Sequence, residues 1–229
     1  MGSNYKMTYA VDIVFVIDAT NSMTGLIETI KAHTINFYKD LVAKMTSKNK
    51  CIGALRIKLI IFRDYLADEK DAMRMTRFYV LPAETKEFER AVNAIKVFGG
   101  GDDPEDGLEA LAFAIRSNWS KECTKRRQII VLWSDDAAHP LGFGKSSPYY
   151  PKTMAADFNE LTRWWGDKDS EGSFMDFNSK RLILFTPKLY GWNEIRNNWD
   201  NVIYYESEIG EGLRDVNYDQ IINAICNSI

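Results

Sequence analysis

Residues 11–17, VDIVFVI, form a near-continuous apolar run rich in β-branched side chains, broken once by Asp12 and stopped by Asp18. Five further runs follow. They are 57–62 (ended by Arg63-Asp64), 78–81, 129–133 (ended by Ser134-Asp135-Asp136), 182–185 (ended by Thr186-Pro187) and 202–205. Runs that are apolar at successive positions mark strands buried on both faces. Between them, apolar residues recur at helical spacing. Met23, Leu26, Ile27, Ile30, Phe37, Leu41 and Met45 make one stripe. Phe88, Val92 and Ile95 make a second, Leu108, Leu111 and Ile115 a third, and Ile221, Ile222 and Ile225 close the chain. Strand–helix alternation of this kind predicts an α/β fold, a doubly wound, mostly parallel six-stranded sheet with helices on both faces. One sheet of that size uses the whole chain, so residues 1–229 read as a single domain.

The segment 137–180 breaks the alternation. It opens with Pro140, Phe143, Pro148, Tyr149, Tyr150 and Pro151, looks helical over 153–166, and is polar over 166–178. Connections this long are usually functional. No low-complexity linker and no internal repeat is present.

Charge excludes several classes of function. The chain has 29 Lys+Arg against 32 Asp+Glu, a net of −3. That argues against nucleic-acid binding by phosphate neutralisation and against a polybasic membrane surface. No 18-residue apolar run is found, and residues 11–17 are too short for a signal peptide. Three cysteines, Cys51, Cys123 and Cys226, share no metal-type spacing and form no disulfide framework, which fits a reducing, cytoplasmic setting.

In doubly wound folds, ligands sit beyond the carboxyl ends of the strands. Asp18-Ala19-Thr20-Asn21-Ser22 follows the first run and Ser134-Asp135-Asp136 the fourth. Gly99-Gly100-Gly101-Asp102-Asp103-Pro104-Glu105-Asp106 precedes the third helical stripe. Asp18, Thr20 and Ser22 alternate, so a turning loop can aim three oxygens at one point. A carboxylate and two hydroxyls are hard ligands suited to Mg²⁺ or Ca²⁺. Asp136 and Asp102 would add oxygens from the other loops. Two carboxylates ~4 Å apart repel by roughly 4 kcal/mol at an effective dielectric of 20, and a cation relieves this.

These three loops together resemble a von Willebrand factor A domain with a metal-ion-dependent adhesion site. The nearest pattern is a subgroup reading Asp-Ala-Thr-Gly-Ser-Met, Gly-Gly-Gly-Asp-x-Pro-Glu-Asp and Asp-Ala-x-x-His. Here these are Asp18 to Met23, Gly99 to Asp106, and Asp136-Ala137-Ala138-His139, and Arg63-Asp64-Tyr65 also fits. Asn21 stands where the pattern has Gly; Asn tolerates left-handed backbone. The resemblance implies the Rossmann-like fold of that family. It implies a divalent cation, Mg²⁺ ahead of Ca²⁺ or Mn²⁺, at Asp18, Thr20, Ser22, Asp102 and Asp136. Asp102 is favoured over Asp103, and Asp136 over Asp135, by the pattern alone. It also implies a monomeric protein-binding module whose partner offers an acidic residue to the metal.

Simpler readings stand beside these. Asp103, Glu105 and Asp106 read as a helix start with Pro104 at its first position. Arg63 and Asp64 read as a local salt bridge or turn, His139 as a hydrogen bond holding its loop, and the aromatics of 143–165 as a satellite core. No nucleophile elbow, Walker loop or dinucleotide fingerprint is present, so no catalysis is expected. The enzymatic alternative is a Mg²⁺-dependent haloacid-dehalogenase-like phosphatase. That class needs an acid two residues past its first Asp, where this chain has Thr20. A third reading is a scaffold whose metal is purely structural.

Overall fold

A computed structural model describes residues 7–99, 104–121, 125–170 and 173–229. All six apolar runs are strands. They are β1 (Met7–Asp18), β2 (Lys50–Phe62), β4 (Tyr79–Leu81), β5 (Arg126–Trp133), β6 (Lys180–Thr186) and β7 (Val202–Glu206). A seventh, β3 (Met73–Met75), was not expected. The sheet runs β3-β2-β1-β5-β6-β7, and β4 also pairs with β2. The β1, β2, β5, β6 and β7 pairings are parallel; β3 and β4 are antiparallel to β2. Three residues flanked by charge, MRM, carry too little apolar signal to read as a strand.

The helices are α1 (Thr24–His33), α2 (Phe37–Ser47), α3 (Thr85–Asn93), α4 (Gly107–Ile115), α5 (Phe158–Trp165), α6 (Trp192–Asn198) and α7 (Tyr218–Ser228). The first stripe is two helices, because the chain turns between His33 and Phe37. α6 went unforeseen. It starts at Gly191, whose φ is +86°, and Glu194 accepts from Gly191 N at 2.7 Å.

Strand periodicity sorts β1 onto two faces. Ile13, Phe15 and Ile17 pack with Leu26, Leu41, Phe88 and Ile225 on one side. Val14 and Val16 pack with Leu108, Leu111, Leu161 and Ile195 on the other. Each fully buried Val, Ile or Phe contributes ~1.5–3 kcal/mol, so central β1 is held from both sides. Asp12, the one charge in that run, is satisfied: Arg56 donates to it twice, at 2.7 and 2.6 Å, and Ser120 N once, at 2.7 Å.

The connection after β1 leads to β2 on one side, and that after β5 leads to β6 on the other. The two strands are neighbours, with Ile17 opposite Trp133. Their carboxyl ends are therefore the topological switch point of the sheet.

Candidate metal centre

The register that sets Ile17 against Trp133 brings Asp18 beside Ser134. Asp18 is fully buried. Its Oδ1 accepts from Thr20 N at 3.0 Å and Thr20 Oγ1 at 2.7 Å, and its Oδ2 accepts from Ser134 Oγ at 2.9 Å. No cationic side chain forms an ion pair with it among the described residues. Burial pushes the Asp18 carboxyl up to about 6, against the Thr20 hydrogen bonds that pull it down; nearby Asp135 adds to the push.

Thr20 Oγ1 and Ser22 Oγ lie 3.3 Å apart. Ser22, which is exposed, donates its hydroxyl to Asp135 Oδ1 at 2.9 Å. Asp135 is buried; its Oδ2 accepts from Gly212 N at 2.8 Å and its carbonyl from Gly210 N at 2.8 Å. The loop after β7 thus clamps the third-loop acid against the first loop. A Cβ at Gly212 would lie 2.0 Å from the Ser22 carbonyl oxygen, and its φ is +63°. Only glycine fits there.

The first loop is also anchored from behind. Ala19 N donates to Phe62 O, and Phe98 N to Ala19 O. Arg63 Nε donates to Ala19 O at 3.2 Å and Phe98 O at 3.0 Å. Its Nη1 donates to Asp71 O, and its Nη2 to Lys96 O. Of the salt bridge or turn anticipated from sequence at Arg63-Asp64, the structure forms the turn, and no Arg63–Asp64 salt bridge is found among the described residues. Arg63 grips main chain, while Asp64 accepts from Leu66 N and Ala67 N and meets His139 Nε2 at 3.0 Å. His139 holds its loop as expected, with Phe143 stacked on it at 3.9 Å.

Asp18, Thr20 and Ser22 are thus drawn into one cluster. The acid that meets them is Asp135, one residue before Asp136. Asp136 Oδ1 accepts from Ala137 N at 2.5 Å, and its carbonyl takes the Trp192 indole N–H at 2.7 Å. Asp102 and Asp103 lie outside the described residues. Among the described residues, no group of three or more His, Cys, Asp or Glu is placed to hold a metal.

The expected helix start is also different. α4 begins at Gly107, beyond Pro104. Glu105 bridges to Ala138 in the adjoining segment, and Asp106 Oδ2 accepts from Tyr65 N at 2.6 Å instead of capping the helix. Glu105, Asp106 and Glu109 are all buried. Both carboxyl oxygens of Glu105 are without a hydrogen-bond partner. Burial raises Glu105 to about 10 and Asp106 to about 8, helped by neighbouring carboxylates. Charge-rich sequence at a helix start looks solvated; here the loops after β2 and β5 cover it. The 143–165 aromatics divide. Trp165 is buried and Tyr150 packs on Tyr65, whereas Phe143 and Tyr149 are about half exposed (49% and 48%).

Comparison with known proteins bears on the fold. Residues 12–124, just under half of the chain, match the family model described as von Willebrand factor A domain. The α/β architecture is similar to that of such domains. An alpha-protein kinase, vwkA, of Dictyostelium discoideum is 25% identical over 146 residues, 64% of this chain and 21% of that protein. The pilus adhesin SpaC of Lactobacillus rhamnosus GG, in its open conformation, superposes with a TM-score of 0.51 at 12% identity, over 95% of this chain and 30% of that one. Proximal thread matrix protein 1 of the mussel byssus superposes with a TM-score of 0.50 at 10% identity, over 97% and 49%. The chain spans about a fifth of the curated relative it matches, and at most about half of these structural neighbours.

Proposed function

We propose that this chain is a protein-binding module in which a divalent cation, Mg²⁺ by preference, completes the recognition surface at the carboxyl ends of β1 and β5. Asp18, Thr20 and Ser22 would hold it, with Asp135 as third-loop acid in place of Asp136 and Asp102 from the second loop. The carrying observation is that Thr20 donates its hydroxyl to Asp18 and Ser22 donates its hydroxyl to Asp135, with the two hydroxyl oxygens 3.3 Å apart, which gathers hard oxygens from two loops around a buried carboxylate. When bound, the cation would supply an electrophilic point for a partner's carboxylate. The protein's own contribution is to orient the oxygens and to leave Ser22 facing solvent. Three carboxylates around a divalent ion leave a net charge of −1, so capture of a further carboxylate should be weaker than at a site with two.

The phosphatase reading is disfavoured by Thr20, whose hydroxyl is already spent on Asp18 and is no general acid. Free Cys51 and Cys226 are in keeping with a reducing compartment.

Calorimetric Mg²⁺ titration of wild type and Asp18→Ala, alongside partner capture from a lysate with and without chelator, tests this. The reading expects binding and capture to be lost together in the variant. Unchanged Mg²⁺ affinity would end the metal assignment, and Mg²⁺-dependent turnover of a generic phosphate ester lost in Asp18→Asn would end the non-catalytic one.

A further inference from the structure

The sheet edge away from the switch point holds a second, unrelated feature. Where β3 crosses the end of β2, and residues 94–98 leave α3, the walls enclose a cavity of about 280 Å³. Its floor is apolar: Leu59, Ile61, Met73 and Ile95. Leu59, Ile61 and Ile95 belong to the core itself, so the floor is a continuation of packed interior.

The rim has the opposite character. Lys70, Arg74 and Lys96 line the mouth against one acid, Asp71. All three cations are exposed, and none makes a salt bridge among the described residues. The balance at the mouth is therefore +2. On a chain whose total is −3, that is a local inversion of sign, and low-dielectric walls focus such a field.

The cavity is braced. Arg63 at its inner end ties Asp71 O on one wall to Lys96 O and Phe98 O on the other, and its guanidinium lies 3.8 Å from the Phe98 ring centroid. Arg74 reaches across to Ala94 O at 3.4 Å. Walls fixed by hydrogen bonds give a preformed site, in which little ordering cost falls on the ligand. Pockets of roughly 300–1,000 Å³ hold drug-sized molecules, and this one, just below that range, suits a smaller ligand.

We propose that this cavity binds a small amphiphilic anion, an apolar body seated on Leu59, Ile61, Met73 and Ile95 with one carboxylate or phosphate head held by Lys70, Arg74 and Lys96. The site is independent of the cation at Asp18, and no bond is made or broken in it.

Methyl-labelled methionine NMR of the full chain, with chelator present, tests it. The probes are phenyl phosphate, benzoate and neutral benzyl alcohol. Phenyl phosphate or benzoate at millimolar concentration should shift the Met73 methyl saturably, and benzyl alcohol should bind about tenfold more weakly or worse. The double variant Lys70→Gln/Lys96→Gln, at exposed positions that leave the fold intact, should weaken the anions by about tenfold and leave the alcohol unchanged. The phosphate and carboxylate arms show which head is preferred. An unmoved Met73 resonance, equal binding of the alcohol, or anion affinity untouched by the double variant would each overturn the proposal. None of these readouts depends on the metal centre.

Discussion

Ser22 Oγ donates to Asp135 Oδ1 at 2.9 Å across 113 residues of sequence, and this contact joins the first and third loops of the candidate metal centre. It ranks two adjacent acids. Asp135→Asn should lower Mg²⁺ affinity by at least about tenfold, and by more than Asp136→Asn does. Calorimetry on the pair decides; the reverse ranking would restore Asp136 as the third-loop acid.

Two glycines in the loop after β7 both have positive φ, but only one is crowded. Gly212 would press a Cβ onto the Ser22 carbonyl, whereas Gly210 has open space around it. Gly210→Ala should cost about 1 kcal/mol from backbone strain alone. Gly212→Ala must also displace the first loop, so its cost should exceed that of Gly210→Ala by at least about 1 kcal/mol, or roughly 2–4 °C in Tm for a chain of this size. Mg²⁺ affinity should fall with Gly212→Ala only. Equal melting losses in the two variants would contradict the close approach.

The two aspartates of β1 should respond in opposite directions. Asp12 is buried and paired with Arg56. Asp12→Ala removes three hydrogen bonds, two from Arg56 and one from Ser120 N, and should cost about 3 kcal/mol, with Mg²⁺ binding retained in the folded protein. Asp18 is buried with no ion-pair partner among the described residues. Asp18→Asn removes a charge that folding must desolvate, so the metal-free protein should melt higher while Mg²⁺ binding disappears. Urea unfolding with and without Mg²⁺ distinguishes the two. Destabilisation of metal-free protein by Asp18→Asn would show that the carboxylate is structural.

Lys180 supplies a pH dependence far from the metal. It is fully buried, donates to Trp165 O at 2.6 Å and to Gly166 O at the end of α5, and lies 4.3 Å from the Trp165 ring centroid. Burial lowers its amine to about 8, against ~10.4 in an unfolded chain. Between these values the unfolded chain holds a proton that the folded one has released, so this group's contribution to stability rises with pH. Below pH 8 it is a constant penalty. Relative to Lys180→Met, wild type should therefore gain stability from pH 7.5 to 10. A difference between the two proteins that stays flat over that range would refute the lowered amine.

How much of this could be read from sequence follows from the range of the forces involved. The runs at 11–17, 57–62 and 129–133 announced themselves, because strands buried on both faces need apolar residues at every position. Asp18, Thr20 and Ser22 were legible because one short loop carries all three. The contact of Ser22 with Asp135 was not, since it depends on how the loops after β1 and β5 come together, which no local pattern encodes. Gly212 was invisible for the same reason: its role is an N–H aimed at an acid 77 residues earlier. Glu105 and Asp106 looked like a solvated helix start because their burial is imposed by two other loops. The cavity beside β3 went unseen because β3 itself did.

The clamp at Gly212 has a consequence for the order of events during synthesis. Asp18 leaves the ribosome among the first residues described, whereas Gly212 leaves among the last. At 5–20 residues per second the gap of roughly 190 residues takes about 10–40 s. Asp135 follows the first loop by about 6–23 s at that rate, and the loop that holds it arrives only at the end of the interval. The contact between Gly212 and Asp135 is therefore among the last of the described contacts that can form at the candidate metal centre during synthesis.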